Sequence, residues 1–194
     1  NNVKKIIVAS SAAVYGEGNE KYKITEQNRL NPISPYGESK IEMEKEIIKF
    51  CSDNQINYVI LRFFNIYGEG QSVEYAGVIS KFLEKIKKNE SLEIFGNGFQ
   101  TRDFVAIEDI INSIHNAIEY TENGIFNIGS GKKITIKELA ELMVSLSNKK
   151  LKIKYLNEKK GDIKFSEADI RLAGKKMNYN NKNDLKYGIQ QLLN

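Results

Sequence analysis

Short apolar runs alternate along the chain with stretches in which apolar residues recur every three or four positions. Residues 3–16, VKKIIVASSAAVYG, predict a buried strand that leads into small hydroxyl residues and a turn at Gly16. A helical pattern follows from Ser34, which suits an N-cap, with Pro35 in the first turn, and it extends to about Asp53. This alternation of strands and helices predicts an α/β fold.

The same two patterns predict the remaining secondary structure. Thr135 suits a helix N-cap, and Glu138 three residues later completes a capping box. The segment from Asn65 to Tyr75 contains glycines and is predicted to be a loop. Further strands are predicted at 58–64, 92–95, 102–107, 125–129 and 152–156, and further helices at 76–88, 107–120, 135–147, 169–176 and 183–193.

The composition is typical of a globular protein with an ordinary charged surface. Hydrophobic residues make up 41% of the chain, and 29 basic against 25 acidic side chains give a net charge of +4, too slight to favour nucleic acid. No apolar run approaches the roughly 20 residues that span a membrane, and no signal peptide is evident. We therefore predict a cytoplasmic protein with no membrane or nucleic-acid partner.

Cysteine and histidine give no sign of a metal site. Cys51 is the single cysteine, so it cannot form a disulfide within the chain. His115 is the single histidine and lies in a helical pattern without a second ligand nearby in sequence. We predict that no metal is bound.

Tyr36 and Lys40 are the first candidate pair for chemistry. They are four residues apart on the predicted helix, so they lie on one face. A free phenol, with a pKa of about 10, is a poor base at neutral pH, but a nearby ammonium favours the phenolate. The pair could then move a proton of a substrate hydroxyl. The alternative is a half-buried aromatic residue beside a solvated lysine.

The predicted first strand adds hydroxyl groups to this pair. Ser10 and Ser11 end the strand, at the edge of the sheet where ligands bind in open α/β folds. Ser11, Tyr36 and Lys40 follow in the order of a Ser-Tyr-Lys triad. Six motifs then occur in order along the chain: SSAAVYG, SPYGESK, RFFNIYG, TRDFV, FNIGSG and GD followed by AD. With them the chain resembles the extended short-chain dehydrogenase/reductase family, in its sugar-nucleotide epimerase branch.

The resemblance implies a set of catalytic and cofactor-binding residues. Tyr36 would be the base for a sugar hydroxyl, and Lys40 would hold the nicotinamide ribose of NAD and favour the phenolate. Ser11 would bind the reacting oxygen, and Ser10 would line the cofactor site. Phe64 would contact NAD through its backbone. The implied reaction is 4-epimerisation of UDP-glucose and UDP-galactose through transient transfer of a hydride to NAD.

The resemblance also implies ligands for a nucleotide diphosphate. Asn65 would donate to the diphosphate, and the planar fork of Arg102 would bind a pair of its oxygens. An arginine paired with Asp103 is the alternative for Arg102. Lys159 stands where the family has a second arginine, so its contact should be weaker or bridged by water. Asp162 would bind the nucleotide ribose or orient its loop.

Other residues are expected to set the choice of sugar and base. Ser166 matches a position that faces the sugar's C2 substituent in the family, and its small size would admit N-acetyl groups. Ala12 and Ala13 stand where 4,6-dehydratases of the family carry an Asp-Glu pair, so dehydration is disfavoured. Three consecutive residues match a stretch along the uracil: Glu93, Ile94 and Phe95.

The family's glycine-rich pyrophosphate loop lies in an N-terminal segment that this chain lacks. We therefore expect the C-terminal part of a longer enzyme, with the end of a Rossmann-like parallel sheet and a small α/β substrate-binding lobe. Residues 1–70 would belong to the NAD-binding domain, and residues 71–194 mainly to the lobe, with some segments returning to the sheet. The full-length enzyme would be a homodimer through the helix that carries Tyr36, which places Ile41, Ile48 and Cys51 on faces not all needed by its own core.

Two alternatives remain open from the sequence. The chain could be a truncated, non-catalytic module that binds a sugar nucleotide without NAD. The complete protein could instead be a reductase or decarboxylase of nucleotide sugars within the same superfamily.

Overall fold

Strands and helices alternate along most of the chain, as the apolar pattern predicts. The structure is a computed structural model that describes residues 2–71, 77–159 and 161–194. The strands are β1 (Lys5–Ser11), β2 (Asn57–Phe63), β3 (Asn65–Tyr67), β4 (Leu92–Phe95), β5 (Thr101–Ala106), β6 (Gly124–Ile128), β7 (Lys133–Thr135) and β8 (Ile153–Leu156). The helices are α1 (Pro35–Asn54), α2 (Val78–Lys87), α3 (Ile107–Glu119), α4 (Ile136–Leu146), α5 (Arg171–Met177) and α6 (Leu185–Leu193). The predicted α/β class is confirmed.

The main sheet is parallel and has the order β1-β2-β6. Its register pairs Ser11 with Phe63 and Phe63 with Ile128, so the three strands end together at one edge. Because β6 pairs with β2, residues 124–128 join a sheet that begins near the start of the chain. In open α/β sheets, ligands bind outside this carboxyl edge.

Helices cover both faces of this sheet. Val59 and Leu61 of β2 pack with Ile110 of α3 and Ala173 of α5 in one apolar core. Successive side chains of a strand point to opposite faces, and Arg62 accordingly meets α1 on the other side. The helix that carries Tyr36 and Lys40 therefore lies directly on β1 and β2.

Two small sheets and three helices make up the rest of the part of the chain that the structure describes. β5 pairs in parallel with β3 and antiparallel with β7, while β4 pairs in parallel with β8. Their core is formed together with α2, α4 and α6, and its fully buried members include Leu92, Leu139, Met143 and Ile189. This part of the chain lies beside the carboxyl edge of the main sheet through β3, which follows β2 after a single residue.

The strands β3 and β7 were not predicted. β3 falls in the predicted loop of Asn65 to Tyr75, and its three residues pair with Phe104–Ala106. A three-residue strand has too little apolar pattern to be recognised, and its hydrogen bonds come from a partner almost 40 positions away. Residues 72–76, which include the end of that loop and the start of the helix predicted at 76–88, lie outside the described residues.

The helix α1 begins and ends with the predicted local chemistry. Ser34 has extended backbone angles and its hydroxyl accepts a hydrogen bond from the N–H of Gly37 at 3.1 Å. The helix closes at Gln55, which adopts the left-handed conformation at φ 55°. The predicted capping box at α4 is also present, because Thr135 and Glu138 exchange both hydrogen bonds. Within the described residues, no helix combines the length and the apolar character needed to cross a membrane.

Candidate active site

An open cleft of about 960 Å³ lies at the carboxyl edge of the main sheet and extends over β4, β5 and α2. Its wall contains every predicted site residue except Ser166. These residues are Ser10, Ser11, Tyr36, Lys40, Phe64, Asn65, Glu93, Ile94, Phe95, Arg102, Lys159 and Asp162. Residues from Ser10 to Asp162, which lie far apart in the sequence, therefore share one site.

The candidate catalytic side chains come from β1 and α1. Tyr36 is 56% exposed, and the Lys40 ammonium lies 5.6 Å from the centre of its ring, as expected for residues one helical turn apart. Lys40 Nζ donates to the carbonyl of Ala9 at 3.0 Å. The Ser11 hydroxyl accepts from the N–H of Ala13 at 3.2 Å, which caps a short 3-10 turn. The phenol, the ammonium and the hydroxyl all border the open cleft.

Ser10 contributes backbone rather than a free hydroxyl. Its side chain is 3% exposed, and its Oγ donates to Glu44 Oε1 of α1. A hydroxyl that is buried and already donating has little left to offer a ligand. If Ser10 contacts the cofactor as predicted, we therefore expect its strand backbone to make the contact.

A buried polar network lies beneath α1 and was not predicted. The Arg62 guanidinium donates to Glu44 through Nε at 3.0 Å and Nη2 at 2.6 Å, and both side chains are 4% exposed. Arg62 Nη1 donates to the Tyr15 hydroxyl at 2.9 Å, which donates in turn to Asn127 Oδ1 at 2.7 Å. Burial raises the pKa of Tyr15 to about 12, although the Arg62 charge opposes the shift, so this phenol stays neutral. An arginine inside the apolar run YVILRFF was the available signal, since a buried charge needs a partner.

Arg102 is held by the loop that follows β8. Its Nη2 lies 2.6 Å from Asp162 Oδ1, and its Nη1 donates to the carbonyls of Ile163 at 2.5 Å and Thr101 at 2.9 Å. Glu17, in the segment that follows β1, binds the same loop. Its carboxylate accepts hydrogen bonds from the backbone N–H groups of Lys164 and Phe165. The guanidinium is therefore oriented before any ligand arrives.

Asp103 does not pair with Arg102, contrary to the alternative drawn from the sequence. It is fully buried, and its carboxylate accepts from the backbone N–H groups of Ser130, Gly131 and Ala168. Burial raises the pKa of Asp103 to about 6, although these donors oppose the shift. Its contacts join β5 to two turns, so its role is structural.

α2, β4 and the loop after β8 supply further charges to the cleft wall. Lys159 Nζ lies 3.8 Å from the centre of the Phe95 ring, a cation–π contact at the mouth of the site. Lys81 and Lys85 of α2 also line the cleft and were not predicted. Lys85 Nζ lies 3.9 Å from Glu93 Oε1, so that carboxylate is balanced by a neighbouring charge. Among the described residues, no group of three His, Cys, Asp or Glu side chains could hold a metal ion.

Ser166 lies apart from the cleft. It is 8% exposed, and its backbone N–H faces Thr101 Oγ1 at 3.4 Å. It is not among the residues that line the described cleft, and its role beside the sugar stays a prediction. Sequence spacing alone could not show this, because the path of a loop between two fixed motifs depends on its tertiary contacts.

Gly37 sets how closely α1 approaches the end of β1. A Cβ on Gly37 would lie 2.5 Å from the backbone oxygen of Ala13, next to the Ser11 turn. We expect Gly37→Ala to lower the free energy of unfolding by about 1–3 kcal/mol through overpacking. This reverses the usual gain of about 0.5–1 kcal/mol for Gly to Ala in a helix. Denaturant unfolding measures the change, and the exposed Ser39→Ala in the same helix is the control, expected to stay within about 0.5 kcal/mol. A stabilised Gly37→Ala variant would contradict the close contact.

Comparison with known proteins identifies the family of this chain. Residues 1–129 match the NAD dependent epimerase/dehydratase family. The chain belongs to this family. The resemblance drawn from the six motifs is confirmed, and so is the dependence on NAD that it implies, since NAD-dependent members define the family.

Individual members of the family are similar over nearly all of this chain. A putative UDP-glucose 4-epimerase of Methanocaldococcus jannaschii is 38% identical over 195 residues, which cover 100% of this chain and 63% of that protein. The structure of UDP-N-acetylglucosamine 4-epimerase from Methanobrevibacter ruminantium M1 has a TM-score of 0.93 and 36% identity, covering 100% of this chain and 63% of that one. UDP-glucose 4-epimerase of Thermotoga maritima, solved with UDP-glucose, has a TM-score of 0.92 and 32% identity, covering 98% of this chain and 62% of that one. These structures confirm the Rossmann-like fold, and this chain spans somewhat under two thirds of each relative.

Proposed function

We propose that the complete protein interconverts UDP-hexoses that differ in configuration at C4, such as UDP-glucose and UDP-galactose. One observation carries the proposal: Ser11, Tyr36 and Lys40 border the same cleft as Arg102 and Lys159. A proton-transfer group and cations suited to a diphosphate are thus combined in one site. The related 4-epimerases act on glucose and N-acetylglucosamine derivatives according to their names, which supports the reaction and leaves the sugar open.

The residues present fit the nicotinamide end of NAD. The Lys40 ammonium and the Tyr36 phenol border open space, and we propose that they hold the nicotinamide ribose. The Phe64 ring is 5% exposed and packs with Val14 and Tyr15, so its backbone would be the contacting part. NAD supplies the acceptor and donor of a hydride when it is bound.

The proton chemistry falls to Tyr36. We propose that its phenolate takes the proton of the sugar's 4-hydroxyl and later returns it. The Lys40 ammonium, four residues on, stabilises the phenolate by its charge. The Ser11 hydroxyl would bind the same oxygen as charge develops on it. The alanines Ala12 and Ala13 after Ser11 offer no acid or base for elimination of water, which favours epimerisation over dehydration.

The diphosphate would bind on the side of the cleft that β5 and the loop after β8 form. Arg102 offers a planar fork, and Lys159 adds a second positive charge without a fork. One N–H of the Asn65 amide donates to the Asp103 carbonyl at 3.1 Å, which leaves the other for a ligand. We propose that Asp162 orients Arg102, as the 2.6 Å ion pair indicates, and that the backbone around Glu93, Ile94 and Phe95 follows the uracil.

Arg102→Lys tests the diphosphate site. Lysine keeps the charge but loses the fork, so one charge-assisted hydrogen bond of about 1.5–3 kcal/mol disappears. We expect the dissociation constant for UDP to rise roughly 10- to 100-fold, measured by calorimetry on the complete protein. The exposed Arg29→Lys is the control and should bind UDP like the wild type. Equal affinities for both variants would remove Arg102 from the binding site.

The proposed reaction is tested directly by NMR on the complete protein supplied with NAD. Interconversion of UDP-glucose and UDP-galactose, or of their N-acetyl counterparts, without accumulation of NADH supports the proposal. A reductase or decarboxylase would consume cofactor or release carbon dioxide. UDP binding without turnover of any of these sugars would favour the non-catalytic module.

The organisation of the complete protein is a further part of the proposal. We propose that residues 1–70 belong to the NAD-binding domain and residues 71–194 mainly to the substrate lobe. We also propose a homodimer through α1, but two residues first assigned to that interface are used within the chain. Cys51 is 1% exposed, and Ile41 packs against a buried core. Phe50, which is 51% exposed, and the half-buried Ile48 remain as candidate contacts.

A further inference from the structure

We propose that Glu44 is a positioning residue, which fixes where α1 holds Tyr36 and Lys40 relative to Ser11. The inference rests on the proposed function, because it assigns these three residues to one reaction. Glu44 itself does not line the cleft, so it would act through its neighbours.

The contacts of Glu44 reach both sides of Ser11 along the chain. Its carboxylate accepts from the hydroxyl of Ser10, the residue before Ser11. It also accepts two hydrogen bonds from Arg62, whose remaining Nη1 holds the hydroxyl of Tyr15 at 2.9 Å. Tyr15 directly follows the 3-10 turn that Ser11 caps. One carboxylate on α1 therefore fixes the segment on either side of the candidate catalytic hydroxyl.

The spacing of residues along α1 lets the contacts of Glu44 fix the positions of Tyr36 and Lys40. Tyr36, Lys40 and Glu44 are four residues apart, so they follow one another along the same side of the helix. With a rise of 1.5 Å per residue, Glu44 lies about 6 Å along the axis from Lys40 and about 12 Å from Tyr36. A shift of α1 on the sheet is transmitted almost unchanged over this distance, because a helix is stiff. A misplacement of about 1 Å in a catalytic site costs about 100-fold in rate.

Stability alone explains the pair poorly. Glu44 and Arg62 are both 4% exposed, and desolvation of two buried charges offsets most of their attraction. Apolar side chains of similar volume often give equal stability at such positions. They would pack, but they would not fix the helix in one register on the strands, as directional hydrogen bonds do. A charged pair at this place is therefore better explained by geometry than by stability.

The test compares two paired substitutions in the complete protein. Glu44→Met with Arg62→Met replaces the buried pair with apolar side chains. Glu42→Met with Lys45→Met does the same to an exposed ion pair of 2.7 Å on the same helix and serves as the matched control. Ser10→Ala removes a single contact of Glu44 and leaves the ion pair in place. The measurements are the unfolding midpoint, kcat and KM across pH, and the ¹³Cζ resonance of Tyr36 in tyrosine-labelled protein, assigned with Tyr36→Phe.

We expect the buried double variant to keep an unfolding midpoint near the wild type. Its kcat should fall about 10- to 100-fold with KM changed less than about twofold. The Tyr36 resonance should shift, because the Lys40 ammonium no longer lies at its place beside the phenol. Ser10→Ala should show smaller changes in the same direction, and the surface pair should show none.

The proposal is overturned if the buried double variant and Ser10→Ala match the surface control in kcat and in the Tyr36 resonance. If the double variant does not fold, Ser10→Ala decides, and wild-type values in that variant overturn the proposal. The resonance requires neither NAD nor turnover. A wild type that fails to epimerise any UDP-hexose would therefore refute the proposed function, while the shift of the Tyr36 resonance would still report on positioning.

Discussion

Tyr36→Phe is expected to lower the turnover of UDP-hexoses by the complete protein about 10²–10⁴-fold, the contribution of a general base. The substitution removes a single hydroxyl from a side chain that is 56% exposed at the cleft, so neither folding nor the shape of the site should change. KM should stay near its wild-type value, because the lost interaction acts on the proton in transfer rather than on the bound sugar. Steady-state kinetics with UDP-galactose measure both constants.

Tyr22→Phe is the matched control for this experiment. Tyr22 is 72% exposed and does not line the described cleft, so the loss of its hydroxyl should leave turnover unchanged. Two results would contradict the assignment of Tyr36. One is turnover within about threefold of the wild type in Tyr36→Phe, and the other is an equal loss in both variants.

The local part of this site could be predicted from the sequence. The cap at Ser34, the spacing of Tyr36 and Lys40, and the strand ending in Ser11 depend on neighbouring residues only, and the structure has them as predicted. Residues matched by motif, such as Arg102, also line the cleft. Helix caps, strand ends and the spacing of side chains on one helix face each depend on about ten consecutive residues. Helix and strand geometry then fix the side-chain directions.

The contacts between distant segments could not be predicted. The pairing of Arg102 with Asp162 crosses 60 positions, and the hydrogen bond between Ser10 and Glu44 crosses 34. Such partners are chosen by the packing of whole elements, which no local period encodes. Ser166 shows the same limit, since the distance between two motifs says nothing about which residue of the loop faces the cleft. Arg62 was the exception, because an arginine inside an apolar strand indicates a buried charged or polar partner, which is Glu44.

Arg62→Met is expected to lower the free energy of unfolding by about 3–5 kcal/mol, the cost of leaving a buried charge without its partner. Without the guanidinium, the Glu44 carboxylate, which is 3% exposed, would keep a single donor among the described residues, the Ser10 hydroxyl. The Tyr15 hydroxyl would lose its donor at the same time. Denaturant unfolding of the complete protein measures the loss, and Glu44→Met added to Arg62→Met should recover most of it, because the unpaired charge is then gone.

Lys45→Met, in α1, is the control that distinguishes the effect of burial from the effect of losing an ion pair on the free energy of unfolding. Lys45 pairs with Glu42 at 2.7 Å, but both side chains are about two thirds exposed, at 65% and 67%. Water solvates the carboxylate that remains, so the loss should stay below about 1 kcal/mol. A loss in Arg62→Met as small as that in Lys45→Met would mean that water reaches Glu44, and the buried network would then not hold α1 on the sheet.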